Sequence, residues 1–219
     1  MNVATGVRRI REVLQTDGSM AVATKILAKV RRTVRRRFEK PDEFDRLHGT
    51  DTSRFEYPNV SYGRYQAIAV TVFHDLMTHL PLPRERFTFI DLGCGKGRAL
   101  ILAREAGFGT LVGVDLALEL IRTARKNLRH GGIAAQLICS DARCIRYPER
   151  PLVVFCYNAF GPDVMHDVAV NLLASVRTSP REVYFAYANP IYAKSLESFA
   201  DFKLLVKTPE LGVWRLAHR

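Results

Sequence analysis

The sequence predicts an α/β fold: a mostly parallel sheet with helices on both faces, closed by an antiparallel hairpin. Three observations carry this expectation. From about residue 87 onward, short apolar runs alternate with segments of helical periodicity. The first run, FTFIDLGCGKGRA over 87–99, ends in Asp91 and then in three glycines at alternate positions, Gly93, Gly95 and Gly97, before a helix opens. A second run, TLVGVD over 110–115, also ends in an acid, Asp115, which falls 22 positions after Gly93. In doubly wound folds an acid roughly 20 residues on stands at the tip of the second strand, where it can meet a ribose.

With 219 residues, 47% of them apolar and 25% charged, the chain suits one α/β domain with an N-terminal extension and can bury a substantial core. Cys94, Cys139, Cys144 and Cys156 lie in or beside apolar runs without metal-ligand spacing, and are expected to be buried free thiols in a reducing compartment. No apolar stretch approaches the roughly 20 residues of a membrane span. The N-terminus has no signal-peptide core, and a cytoplasmic location is expected. The net charge of +11 is unevenly placed, because residues 1–40 hold eleven Lys/Arg against three acids. The other 179 residues carry 22 against 19 and offer no second basic patch in the sequence.

In chain order, residues 3–16 and 21–38 read as amphipathic helices. In the second, Val22, Ile26, Val30, Val34 and Phe38 recur every four residues and a cationic cluster closes the segment at Arg35, Arg36 and Arg37. Such an arm suits a nucleic-acid backbone, an anionic membrane surface or an acidic protein; alternatively its charges are only solvated, or it is an organelle transit segment. Residues 41–62 are polar and non-periodic and read as a linker. Tyr57, Tyr62 and Tyr65 in and after it are either lid residues or anchors to the body. Helical periodicity over 65–80 stops at Pro81. Strands are then expected at 87–92, 110–115, 135–139, 151–157 and 182–188, with helices at 97–106, 117–129, 162–176 and 191–200. Strands near 202–207 and 212–217 form the closing hairpin.

The glycine turn is neither a dinucleotide fingerprint, since Arg98 holds the place of the third glycine, nor a P-loop, since no G-x-x-x-x-G-K-[ST] run exists. Its D-x-G-x-G-x-G pattern resembles motif I of the class I S-adenosylmethionine-dependent methyltransferases. FDRLHGTDTS, YGRYQA, DLGCGKGRAL, YNAFG and YANP together resemble a group of small bacterial members of unassigned substrate, over roughly residues 44–195. A weaker similarity runs to eukaryotic lysine methyltransferases that act on mitochondrial membrane proteins.

The resemblance implies the Rossmann-like sheet of that class and S-adenosylmethionine as cofactor, with S-adenosylhomocysteine as product and no metal. It implies three parts: a basic helical arm at 1–40, an aromatic-containing linker and lid helix at 41–80, and the S-adenosylmethionine-binding domain at 81–219. Asp91 would face the cofactor's α-ammonium, and Gly93, Cys94, Gly95 and Gly97 would let it approach the backbone. Asp115 would take both ribose hydroxyls, with Leu116 beside it. Asp141 would take the adenine amino group and the Ala142 N–H would meet the ring, while Tyr65 would cover the methionine end. Lys96 and Arg98 are expected on the surface beside the pocket, because the cofactor has no phosphate.

After the fourth strand, Tyr157, Asn158, Ala159 and Phe160 stand where relatives commonly carry YNPF and amino-group methyltransferases carry [ND]-P-P-[FYW]. Asn158, with Tyr157 and Phe160, is the candidate catalytic face, unless Asn158 only caps the next turn. Asn158 is also a candidate cofactor contact. Tyr187, Asn189 and Pro190 would line the acceptor side, and Tyr157, Tyr187 and His166 are the candidate bases. The reading is methyl transfer to a nitrogen or oxygen of a small molecule or protein side chain, with nucleic acid ranked third. The rival is a nucleic-acid- or membrane-binding module on an inert scaffold.

Overall fold

A computed structural model describes residues 41–53, 66–157 and 159–217, so the basic arm, Tyr57, Tyr62, Tyr65 and Asn158 lie outside the described residues. Five strands run parallel: β1 (Thr88–Leu92), β2 (Thr110–Asp115), β3 (Gln136–Cys139), β4 (Leu152–Tyr157) and β5 (Val183–Ala188). With β6 (Phe202–Lys207) and β7 (Leu211–Leu216) they make one seven-stranded sheet of order β3-β2-β1-β4-β5-β7-β6. β7 lies antiparallel between β5 and β6, so the first strand of the hairpin takes the edge and the second is buried. The order reverses between β1 and β4, the switch point at whose carboxyl ends ligands bind in open α/β sheets.

β1 is buried at all five positions, as a strand covered on both faces must be. On one face pack α2 (Val70–Thr78), α3 (Arg98–Glu105) and α4 (Leu118–His130), around Phe73, Phe89, Leu100, Phe108 and Phe155. Phe73, Phe89 and Phe155 meet with ring centroids 5.5–6.0 Å apart, edge-on or offset, the arrangements aromatic quadrupoles favour. On the other face α5 (Pro162–Thr178) and α6 (Ala193–Glu197) cover Ile90, Val154, Leu172, Leu196 and Trp214.

Three differences from the sequence expectations have physical causes. α2 begins at Val70, not 65, because Ala69 is extended; Ile68 and Leu80 stay buried although they lie outside the helix. Residues 43–48, expected within a linker, form a helix, α1 (Glu43–His48). The Asp42 side chain caps it by accepting from Asp45 N at 2.9 Å, and Gly49 ends it in the left-handed region at φ 64°. Only Cys94 and Cys156 are buried; Cys139 and Cys144 are exposed, since β3 is a sheet edge and the chain after it forms only a 3-10 turn (Ala142–Cys144).

Candidate active site

The site is built at the tips of β1 and β2. Gly93, Gly95 and Gly97 all have positive φ, at 82°, 52° and 86°, which ordinary side chains resist. The turn is tied to the neighbouring strand, because Gly93 N and Cys94 N both donate to Val114 O at 2.8 and 2.9 Å. A Cβ on Gly93 would lie 2.4 Å from that of Ala159, so the glycine admits the loop after β4 rather than leaving open space. The Cys94 side chain packs inward against Gly113, where a Cβ would lie 2.9 Å from its sulfur, and burial pushes its thiol up. Cys94 therefore offers backbone only.

Asp115 accepts from Gly95 N on one oxygen at 2.9 Å and from Ala117 N on the other at 2.8 Å. Both oxygens keep a lone pair for a further donor. Burial raises its pKa, and the three backbone hydrogen bonds it receives hold that rise back. Asp91 is different. It is 3% exposed, and no described residue donates a hydrogen bond to it. Burial, and then the neighbouring charge of Asp115, push its pKa well above 3.8.

Two carboxyl groups at adjacent strand tips, one of them without a hydrogen-bond donor among the described residues, make a donor-hungry, acidic patch. That chemistry fits a ligand bearing an ammonium, a sulfonium and vicinal hydroxyls. It also sets a pH dependence. A cationic ligand favours ionised Asp91, so affinity rises with pH between 3.8 and the raised value, and binding releases a proton. Folding runs the other way: the raised carboxyl stabilises the fold most below 3.8, and this is lost as pH rises through the folded value. Asp91→Asn is therefore expected to raise the melting temperature at pH 8 by a few degrees while weakening S-adenosylhomocysteine binding about tenfold to 100-fold. Titration calorimetry in two buffers of different ionisation enthalpy would detect the released proton, and its persistence in Asp91→Asn would refute the assignment.

Asp141 caps the 3-10 turn that follows β3. It is gripped by Arg143, whose backbone N, Nε and Nη2 all donate to its two oxygens at 2.7–3.1 Å. These bonds lower its pKa and keep it ionised. Leu116 is exposed and Ala142 half-buried, on the turns after β2 and β3. Tyr157 and Phe160, paired in the expected catalytic face, pack to opposite faces of the sheet.

Two expected bases are corrected. Tyr187 is fully buried in the α5-side core, where desolvation holds its proton, so it neither lines the mouth nor acts as a base. The Tyr157 hydroxyl is likewise pushed up by burial and stays protonated at neutral pH. His166 is exposed on α5, with its ring 5.1 Å from that of Phe199. Asn189 sits in the left-handed region at φ 52°, a conformation asparagine tolerates better than most residues.

The expectation that Lys96 and Arg98 lie on the surface is also overturned: they are 2% and 6% exposed. Residues 42–52 cover them. Arg98 donates from Nη2 to Asp42 and from Nε to Thr52 Oγ1 at 2.7 Å, and its guanidinium lies 4.6 Å from the centre of the Phe44 ring. Lys96 Nζ donates to Asp51 at 2.9 Å, and Asn127 Nδ2 donates to the Asp51 and Lys96 carbonyls. At the centre Asp45 accepts from Thr50 Oγ1, from the backbone N and hydroxyl of Thr52, and from those of Ser53, at 2.5–2.8 Å. The run FDRLHGTDTS is thus a strap that clamps the glycine turn from outside. Its polar residues were visible in the sequence, but their partners some fifty positions away were not.

The family model of a methyltransferase domain matches residues 89–179, which span the glycine turn, Asp115, Asp141 and the loop after β4. Over that stretch the chain is similar to the methyltransferase-domain family. Over 106 residues it is 30% identical to the ribosomal protein L11 methyltransferase of Desulforapulum autotrophicum, covering 45% of this chain. The match spans only 33% of that relative's length. Among solved structures, the ribosomal protein L11 methylase of Lactobacillus delbrueckii subsp. bulgaricus superposes with TM-score 0.53 at 15% identity, over 74% of this chain and 83% of that one. An RNA methyltransferase of Salinibacter ruber, solved with S-adenosyl-L-homocysteine, superposes with TM-score 0.50 at 22% identity, over 68% and 92%. At such identities these two structures share the methyltransferase fold. Among the described residues of the domain, no helix is long and apolar enough to cross a membrane, and no group of three His, Cys, Asp or Glu could hold a metal ion.

Proposed function

We propose that the chain moves a methyl group from S-adenosylmethionine to a nitrogen or oxygen of a small molecule or a protein side chain. The observation that carries this is the buried Asp91, without a hydrogen-bond donor among the described residues, beside Asp115 at the tips of β1 and β2. The methyl donor, a sulfonium, supplies an already activated methyl group. Asp91 would hold its ammonium, Asp115 its ribose hydroxyls and Asp141 its adenine amino group, with Leu116 and Ala142 against the ring. The protein's remaining work is alignment and exclusion of water. The loop after β4, seated against Gly93, brings the acceptor side within a side chain's reach of the turn.

Calorimetry with S-adenosylhomocysteine is expected to give micromolar affinity. Tritiated methyl transfer into protein, metabolite and RNA fractions of a lysate should label the first or second. Absence of cofactor binding would refute the whole reading, and label confined to RNA would refute the acceptor class.

A further inference from the structure

Helix α4 gathers the excess positive charge of the domain onto one exposed face. Residues 41–219 hold 22 Lys/Arg against 19 Asp/Glu; α4 alone holds four against one, leaving eighteen against eighteen elsewhere. The four are Arg122, Arg125, Lys126 and Arg129, at i, i+3, i+4 and i+7, the spacing that aligns side chains in a single stripe. All four are exposed, and no carboxylate among the described residues lies within ion-pair distance of any of them. The helix dipole accounts for Arg129 in the last turn but not for Arg122 or Arg125 farther back. A solvated surface helix ordinarily intersperses acids with its bases; here the one acid, Glu119, stands a turn before the stripe. The sequence hid this because summed charge over 41–219 is close to balanced.

We infer that this stripe is a docking surface for the phosphate backbone of a nucleic acid. The stripe spans about 10 Å of helix, roughly three phosphate steps along one duplex strand. Three of its four cations are arginine, whose planar fork matches phosphate oxygens two at a time. A bilayer is the poorer partner. The apolar side of α4, with Leu120, Ile121, Ala124 and Leu128, is 0–3% exposed against the sheet, which leaves only Leu118 in the first turn and Leu116 before it exposed, too little apolar surface for an interfacial helix. The inference does not require that RNA accept the methyl group.

The test compares the full chain with a variant carrying Arg122→Ala, Arg125→Ala, Lys126→Ala and Arg129→Ala. Fluorescence anisotropy follows a labelled 20-nucleotide RNA from 50 to 200 mM salt. The basic arm contributes equally to both proteins. The variant is expected to bind about 100-fold more weakly at 100 mM, with the slope of log K against log salt shallower by about 3. An all-lysine version of the stripe, which keeps the charge, should retain the slope and so separate lost charge from lost fold. Equal affinity and slope in wild type and the alanine variant would overturn the inference. So would a variant that loses binding only to phosphatidylserine vesicles or to polyglutamate while RNA binding is unchanged.

Discussion

Asp115→Ala is expected to abolish measurable S-adenosylhomocysteine binding while leaving the domain folded. Two effects add in the bound state. In the proposed complex the substitution would remove two charge-assisted bonds to the ribose hydroxyls, each worth about 1.5–3 kcal/mol, which would move a micromolar complex to millimolar or beyond. The turn also loses the acceptor for Gly95 N, one of the ties that hold its left-handed residues in place. Stability changes less, because the substitution removes a carboxylate whose burial is unfavourable and which repels Asp91. Asp115→Asn is no rescue: its amide can face one of the two N–H groups with oxygen, but must set its NH2 against the other. Calorimetry and thermal melting on the same preparations separate the two effects. Retained micromolar binding in Asp115→Ala would remove this residue from the site, and a pH profile for Asp91 unmoved by the substitution would refute their coupling.

Asp45→Ala is expected to destabilise the domain by about 3–5 kcal/mol. The change leaves the backbone N–H groups of Thr52 and Ser53 without their acceptor and takes one carboxylate from the surroundings of buried Arg98, 3.9 Å away. Burial alone would raise the Asp45 pKa, yet the hydrogen bonds from Ser53, Thr52 and Thr50 outweigh it and hold the value at about 2. Its contribution is therefore complete above 3.8 and is lost as pH falls through about 2. Urea unfolding at pH 7 should show the loss, and at pH 2 the gap between wild type and variant should narrow. Because the strap clamps Lys96 and Arg98, the variant should also weaken cofactor binding. Hydrogen exchange at Thr52 and Ser53 that is as slow in the variant as in the wild type would refute the clamp.

The legible parts of this protein were those written in short-range patterns. β1 and β2 announced themselves as apolar runs ending in acids, and the glycine turn as three residues whose positive φ few others adopt. The closing hairpin was equally plain. What escaped was long-range or cumulative. Asp42 and Gly49 were readable as helix caps, yet with only six residues between them the segment lacks the periods that mark a longer helix. Lys96 and Arg98 looked like solvent-facing charges, and Asp45 lay in a stretch read as linker, until the fold brought them together. Tyr187 looked like a mouth residue because it lies near a strand end, but its side of the pleat faces the α5 core. The α4 stripe vanished into a balanced sum.

The place of β7 has a consequence for how the protein is made. β6 leaves the ribosome first, yet its neighbour in the sheet comes after it, so the nascent chain holds a strand with nowhere to pair. Until Leu211–Leu216 pairs with it, the outer rim of β5 stays open, and the indole of Trp214 has yet to enter the interior. Closing this sheet therefore depends on β7, and an indole-fluorescence change should time that closure.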